Sequence, residues 1–277
     1  MIKLGEYNTL EIARESGSGF YLKDDEDAMV LLPGKYAPKG AQVGQELKVF
    51  VLNDSEDRLV ATTDCPKITL NEFALLKVTD ITKFGAFLDW GMEKDLMVPF
   101  KEQKDDMEEG RWYVVYMGLD QETNRLYASS KVSRYLQNQY LSVNENDKVE
   151  LLVYKKTDLG YSVIVNDEHM GLIFESDVFQ DLNVGERLEG YVKHIREDNK
   201  LDITLRPTGY DSFISEASEE VYHLIERQGG KVSINDKSTP ELIYSEFKMS
   251  KKAFKKAVGD LYKQRKITIS DDGIALV

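Results

Sequence analysis

Over residues 1–206 apolar and polar positions alternate in short runs, the period of half-buried strands. Gly19, Gly85 and Gly160 each sit in such a run: Gly19-Phe20-Tyr21-Leu22, Phe84-Gly85-Ala86-Phe87-Leu88 and Leu159-Gly160-Tyr161-Ser162-Val163. Fourteen residues after each comes Pro33, Pro99 or Phe174, closing the apolar runs 29–32, 96–98 and 171–173. Twenty-five residues after each comes a second glycine, Gly44, Gly110 or Gly185, opening a further strand at 47–51, 112–116 or 188–192. A turn then leads to a last short strand that starts Arg58-Leu59, Arg125-Leu126 or Lys200-Leu201. Two gap-free offsets held in three copies predict an internal repeat of about five strands in about 60–65 residues. Strands of that number and length predict a small Greek-key barrel of the OB type, closed so that no edge is exposed. One such barrel is marginal by itself. The three are therefore expected to pack against one another, with residues 132–147 as a partly helical connector.

After residue 206 the period becomes helical. Phe213, Ala217, Val221, Leu224 and Ile225 form one apolar stripe, ended by Gly229-Gly230. Lys231-Val232-Ser233-Ile234 predicts a short strand. Thr239-Pro240-Glu241 predicts a helix start with Thr as cap and Pro at the first position, running to about Phe247. Ser250 caps a third helix whose core face is Phe254, Ala257, Val258, Leu261 and Tyr262. Residues 267–269 and 274–277 predict a hairpin around Asp271-Asp272-Gly273. Helix, strand, helix, turn, helix, hairpin is the winged-helix order. The predicted domains are 1–66, 67–143 including the connector, 144–206 and 207–277.

Charge changes this picture more than composition does. The 277-residue chain carries a net −13 at neutral pH, which on its face opposes binding to a polyanion. The four segments carry −5, −2, −6 and 0, and residues 248–266 hold eight basic side chains against the single acid Asp260. The body is acidic and one stripe is basic. Lys251, Lys252, Lys255, Lys256, Lys263 and Lys266 fall within an arc of about 140° on a helical wheel, beside the apolar face. The single cysteine, Cys65, cannot form an internal disulfide and points to a reducing cytoplasm. The start of the chain lacks the apolar stretch of a signal peptide, and no run is long and apolar enough to span a bilayer.

The middle copy carries recognisable residues. Phe84-Gly85-Ala86-Phe87-Leu88-Asp89, with Asp120 and Arg125-Leu126-Tyr127-Ala128-Ser129, resembles the S1 RNA-binding signature. Ala86-Phe87-Leu88-Asp89-Trp90-Gly91 with residues 94–103 is similar to the conserved virulence factor B (CvfB/YitL) family, as are Asn53-Asp54-Ser55-Glu56-Asp57-Arg58 and Ala61-Thr62-Thr63. The resemblance covers essentially the whole chain. It implies a mainly β multidomain fold: three tandem S1-type OB-fold barrels followed by an α/β winged-helix domain. It also implies an RNA-binding regulator of gene expression. By analogy with S1 domains, Phe84 and Phe87 face the RNA, although positions three apart point to opposite faces of a regular strand. A bulge at Gly85 resolves this; otherwise Phe87 is the ring available for stacking. Tyr21 holds the place of Phe87 in the first copy. Ser162 holds it in the third, where Tyr161 is the candidate substitute. Arg58, Arg125 and Lys200 match the S1 basic position. The histidine common in S1 domains is replaced by Pro33, Pro99 or Phe174.

The candidate nucleic-acid-binding residues are therefore Phe84, Phe87, Arg125, Tyr21, Arg58, Tyr161 and Lys200 on the barrels and Lys251, Lys252, Lys255 and Lys256 on the last helix. No catalytic residue, metal ligand or cofactor is expected. His169, His194 and His223 are scattered, and phosphate-loop, zincin and nucleophile-elbow motifs are absent. The expected partner is single-stranded RNA, held by base stacking on aromatic rings, with linked barrels gaining from effective concentration. Two rivals stand beside it. One is a duplex-DNA regulator acting through the lysine helix, which lacks the Arg, Asn and Gln that read base edges. The other is a protein-interaction scaffold in RNA metabolism.

Overall fold

The computed structural model of the chain describes residues 1–178, 181–206, 216–270 and 273–277. They form two compact units, Met1–Leu205 and Arg206–Val277. The first unit holds three five-stranded modules, each built the same way. Strands β1 (Tyr7–Ser16), β2 (Gly19–Lys23), β3 (Met29–Pro33), β4 (Glu46–Asn53) and β5 (Leu59–Thr62) close into a barrel in the order β1-β2-β3-β5-β4. Strands β11 (Lys148–Thr157), β12 (Gly160–Val165), β13 (His169–Phe174), β14 (Arg187–Ile195) and β15 (Leu201–Thr204) close in the same order.

Both sequence offsets have a structural cause. The fourteen-residue spacing is a cross-strand pair: Gly19 lies opposite Pro33, Gly85 opposite Pro99, and Gly160 opposite Phe174. The twenty-five-residue spacing ends on a turn that docks on a kink. The first strand of each module shifts register between Ile12/Arg14, Val78/Asp80 or Val153/Lys155, so its halves pair with different neighbours. The amide of Gly44, Gly110 or Gly185 donates to the carbonyl of Ile12, Val78 or Val153 at 2.8, 2.9 and 2.8 Å, docking the turn on the kink. The bulge therefore lies on this strand and not at Gly85.

The middle module departs from the expected closed barrel. Strands β6 (Phe73–Thr82), β7 (Gly85–Asp89), β8 (Leu96–Pro99), β9 (Trp112–Asp120) and β10 (Arg125–Ser129) form an open sheet in the order β10-β9-β6-β7-β8. The seam that closes the other two is short in any case, one residue pair between β3 and β5 and three between β13 and β15. Here other links take its place. Ser130 N and Ser129 Oγ donate to the Glu102 carbonyl at 3.0 and 3.2 Å, and Lys131 Nζ donates to the Lys101 carbonyl at 2.6 Å. Val98, Leu96 and Ala128 share one core across the gap.

The modules pack on one another through apolar side chains. Phe50 of the first belongs to the core of the middle one, its ring 5.8 Å from that of Trp90. Phe73 and Val114 of the middle module cluster with Leu152 and Ile164 of the third. Arg187 reaches back to donate to the Phe73 carbonyl at 2.6 Å while paired with Asp167. The connector is helical only in one short turn, Val132–Arg134.

The second unit holds α1 (Glu216–Arg227), β16 (Lys231–Val232), α2 (Pro240–Phe247), α3 (Lys251–Lys263), β17 (Ile267–Ser270) and β18 (Gly273–Leu276). Thr239 and Ser250 accept from Leu242 N and Ala253 N at 3.4 and 3.3 Å, the expected caps. Val221, Ile243, Phe254, Leu261 and Ile274 lie in its core. Tyr262, expected on the core face, is instead 56% exposed. Phe213, Asp271 and Asp272, like the side chain of Ala217, lie outside the described residues.

Candidate nucleic-acid interface

On β7 burial alternates from Ala86 to Asp89. Ala86 and Leu88 are fully buried in the core, so Phe87 between them points outward. It lines a groove of about 800 Å³ together with Met97, Pro99 and Tyr127. The opposite wall is supplied by the first barrel, through Leu52, Asn53, Ser55 and Asp57 at its β4–β5 turn. Tyr127 lies across Gly118, its cross-strand partner, where an added Cβ would meet the ring at 2.6 Å. Its hydroxyl sits 3.2 Å from that of Tyr135, which donates to Glu102 Oε2 at 2.9 Å. Burial, with the Tyr127 hydrogen bond adding to it, raises the Tyr135 pKa and keeps this phenol protonated.

Phe84 is not part of this groove. It lies in the β6–β7 turn, 63% exposed, with Lys83 Nζ 5.0 Å from its ring centre. The structure thus does not bring Phe84 and Phe87 together on one face. Tyr21 is half-buried and covered by the Arg14 guanidinium at 3.9 Å. A second groove of about 560 Å³, between the first barrel and Met92, Glu93 and Lys94 of the middle module, has Tyr36 as its aromatic residue.

The third barrel requires a correction. Tyr161 is packed into its core beside Val163 and Ile173, and Ser162 is buried with its hydroxyl 3.0 Å from Met170 Sδ. Neither offers a ring for stacking. The place that corresponds to the middle groove is filled by the connector. Asn138 Nδ2 donates to the carbonyls of Met170 and Asn199, both at 2.9 Å, and its Oδ1 accepts from Met170 N at 2.9 Å. Arg196, paired with Asp202, lies 5.5 Å from the Phe174 ring.

All three barrel cations are engaged. Arg58 binds Asp54 at 2.7 Å and Glu56 at 2.8 Å, and Lys200 binds Asp198 at 2.6 Å. Arg125 makes a two-pronged pair with Asp57 of the first barrel, its Nε 2.9 Å from Oδ1. That hydrogen bond holds the Asp57 carboxyl below its usual range and raises the Arg125 pKa. On α3, Lys251 Nζ is 3.5 Å from the Lys237 carbonyl and Lys255 is 3.9 Å from Asp236. Lys252 and Lys256 are exposed, without an ion-pair partner among the described residues. Lys266 lies beyond the end of α3. No cluster of metal-ligating side chains occurs among the described residues, and no helix there is long and apolar enough to cross a membrane.

Sequence reasoning did not propose Leu52, Asn53, Asp57, Tyr36 or Met97 as site residues, although Asn53, Asp57 and Met97 stand in runs that carry the family resemblance. All five contribute to contacts or grooves shared between the first two modules, which no pattern within one repeat encodes. The usable signal was Asp57. It has a φ of 61° just before Arg58, and Asn124 and Asn199 hold the same place before Arg125 and Lys200 at 52° and 59°.

Comparison with known proteins agrees with this architecture. Three family models match: S1 domain over residues 4–64, Virulence regulatory factor CvfB second domain over 134–207, and CvfB-like winged helix domain over 219–276. Bacillus subtilis YitL is 28% identical over 95% of this chain and 90% of its own. Conserved virulence factor B of Staphylococcus saprophyticus is 25% identical over 99% and 94%. A solved multidomain protein with nucleic acid binding domains from Streptococcus pneumoniae is 25% identical over 99% and 98%, with a TM-score of 0.41. S1-type modules followed by a winged helix define a multidomain protein of the nucleic-acid-binding class. Within that class, the chain matches the CvfB second-domain and CvfB-like winged-helix models and is similar to conserved virulence factor B along nearly its whole length.

Proposed function

We propose that the protein is a non-enzymatic, cytoplasmic regulator of gene expression that binds single-stranded RNA, with modules at 1–66, 67–143, 144–206 and 207–277. The observation that carries this reading is Phe87, held outward on β7 between the buried Ala86 and Leu88 and set in a groove with Met97 and Tyr127. Such a surface accepts the face of an unstacked base, each stacked base contributing about 1–3 kcal/mol. Duplex DNA presents no unstacked base to it. The exposed lysines of α3 add contacts to phosphate, which strengthen binding without selecting sequence.

Filter binding of the full chain to single-stranded RNA, single-stranded DNA and duplex DNA of matched length tests this. Tightest retention of RNA is expected. Tightest retention of the duplex would instead assign the function to α3, and failure to retain any of the three would favour a protein partner.

A further inference from the structure

Away from the grooves, the connector and β13 bring together a hydroxyl, an imidazole and a carboxylate. Ser142 Oγ lies 2.8 Å from His169 Nε2 and 2.7 Å from Glu168 Oε2, so its one proton has two acceptors within reach. His169 is fully buried, whereas Ser142 is exposed and the Glu168 side chain is partly so. The imidazole is thus shielded from water while the hydroxyl is open to it.

The ring is held as a base. Its Nδ1 donates to the Gln137 carbonyl at 2.6 Å, which leaves the Nε2 lone pair facing Ser142. That carbonyl is itself fixed. Gln137 N donates to the Glu168 carbonyl at 3.0 Å, and its Nε2 donates to Glu168 Oε1 at 3.1 Å and to the Tyr140 carbonyl at 2.6 Å. A hydroxyl, a base in reach of it and a third group that orients the base are the parts of an activated nucleophile. Glu168 Oε2, 3.5 Å from His169 Nε2, stands where it stabilises the imidazolium that forms when the proton is taken. The Ser142 hydrogen bond, with Gln137 adding to it, holds the Glu168 carboxyl below the usual carboxylate range and keeps it charged. The other charges nearby are absent or paired. Residues 135–144 carry none at neutral pH, Asp167 is bound by Arg187, and Asp198 by Lys200.

We propose that Ser142 is a base-assisted acceptor of an acyl group, delivered as an activated ester. Oγ attacks the acyl carbonyl carbon while its proton passes to His169 Nε2. The bond from that carbon to the leaving oxygen breaks, and the leaving group departs as an anion. The imidazolium then gives its proton to the leaving group or to water. In sum, one hydroxyl and one activated ester yield one serine ester and one protonated leaving group. An uncharged acyl group suits the site better than a phosphoryl group, whose anionic oxygens would be driven against the Glu168 carboxylate. Transfer stops at the serine ester. Ser142 N–H, the backbone donor next to the hydroxyl, is spent on His169 Nε2 at 3.1 Å and is not free to hold an oxyanion. The site is therefore one of modification and not of turnover, and the acyl group would stand between the connector and the third barrel.

The full chain mixed with p-nitrophenyl acetate tests this, followed by release of p-nitrophenolate and by peptide mass mapping. A burst that places one acetyl group on Ser142 is expected, with lysines labelled only later. Ser142→Ala should remove the burst. His169→Gln should slow it by about 100-fold or more, the contribution of a positioned general base. Because His169 is buried, the unaltered chain supplies a second readout. The neutral ring is the active form, so the burst rate should fall as pH is lowered from about 8 to about 5, where histidine gains its proton, and level off above that range. A burst at Ser142 that instead rises in proportion to hydroxide throughout would overturn the role of His169 as base. So would a burst that keeps the parent rate in a folded His169→Gln chain. Acetyl groups found on lysines alone, with the same time course in Ser142→Ala, would overturn the site itself.

Discussion

Gly85 has a φ of 151°, and a Cβ built on it would stand 2.2 Å from the carbonyl oxygen of Val98. Gly19 and Gly160 repeat this at 138° and 139°, meeting Leu32 and Ile173 carbonyls at 2.2 and 2.1 Å. Only glycine adopts this backbone without strain, and the close approach lets the second and third strands of each module cross at their ends. Gly85→Ala is expected to destabilise the first unit by about 2 kcal/mol or more, seen as a lower denaturation midpoint. An unchanged midpoint would show that the strand ends give way easily. Phe87→Ala asks a different question. Half-buried on the groove wall, Phe87 should lose about 1–3 kcal/mol of RNA affinity on truncation. Its loss of stability should stay below the about 3–5 kcal/mol expected of a core phenylalanine. Equal losses in melting and binding would place its role in packing. Both positions were legible in the sequence because each follows a local rule, a glycine at a repeat offset or a ring alternating with core residues. Tyr161 was not. In the third copy Ser162 holds the place of Phe87 and is itself buried, and Tyr161 beside it turns into the core.

At the level of elements, repeat offsets become cross-strand pairs and docked turns, which is why three strand modules could be read from glycine spacing alone. What spacing does not encode is how far each seam is hydrogen-bonded. In the middle sheet no ladder joins β8 to β10, and Ser129, Ser130 and Lys131 instead bridge the gap by bonding to the carbonyls of Glu102 and Lys101 just past β8. The connector shows the same limit. Residues 137–142 look like an undistinguished polar stretch, yet they bridge β13 and the β14–β15 turn. Ser142 N donates to His169 Nε2 at 3.1 Å, which sets the ring as a neutral tautomer donating from Nδ1 to the Gln137 carbonyl at 2.6 Å. Asn138 makes three hydrogen bonds with this side chain, each contributing about 0.5–1.5 kcal/mol. Asn138→Ala should therefore cost about 2–3 kcal/mol of stability. It should also speed amide exchange at Met170, whose N–H loses its acceptor. Stability within about 0.5 kcal/mol of the parent would mean that the connector only rests on the third barrel.

At the scale of the molecule, a net charge of −13 and a nucleic-acid ligand are compatible because charge and stacking surfaces are kept apart. The barrel cations Arg58, Arg125 and Lys200 are tied to Asp54, Asp57 and Asp198, and the larger groove holds Asp57, Asp95, Glu102 and Asp120 against Lys94, Lys101 and Arg125, so its walls offer stacking surface and no excess of positive charge. The exposed cationic face belongs to α3, where Lys252 and Lys256 are one turn apart and without ion-pair partners among the described residues. If this face meets phosphate, each lysine releases condensed counterions, and the slope of log affinity against log salt changes by about 0.7 per contact on a single strand. Lys252→Gln with Lys256→Gln should then flatten the slope on RNA by roughly 1.4, with sequence preference unchanged. The fold should be unaffected, because both side chains are exposed and neither Ser250, the cap of α3, nor its core face is touched. The Phe87→Ala variant should do the reverse, weakening RNA binding at every salt concentration while leaving the slope as it was, since a stacked ring displaces no counterion. The two variants together separate the surfaces. If the lysine pair leaves the slope unaltered, the basic face serves a protein partner, and the barrels alone carry the RNA.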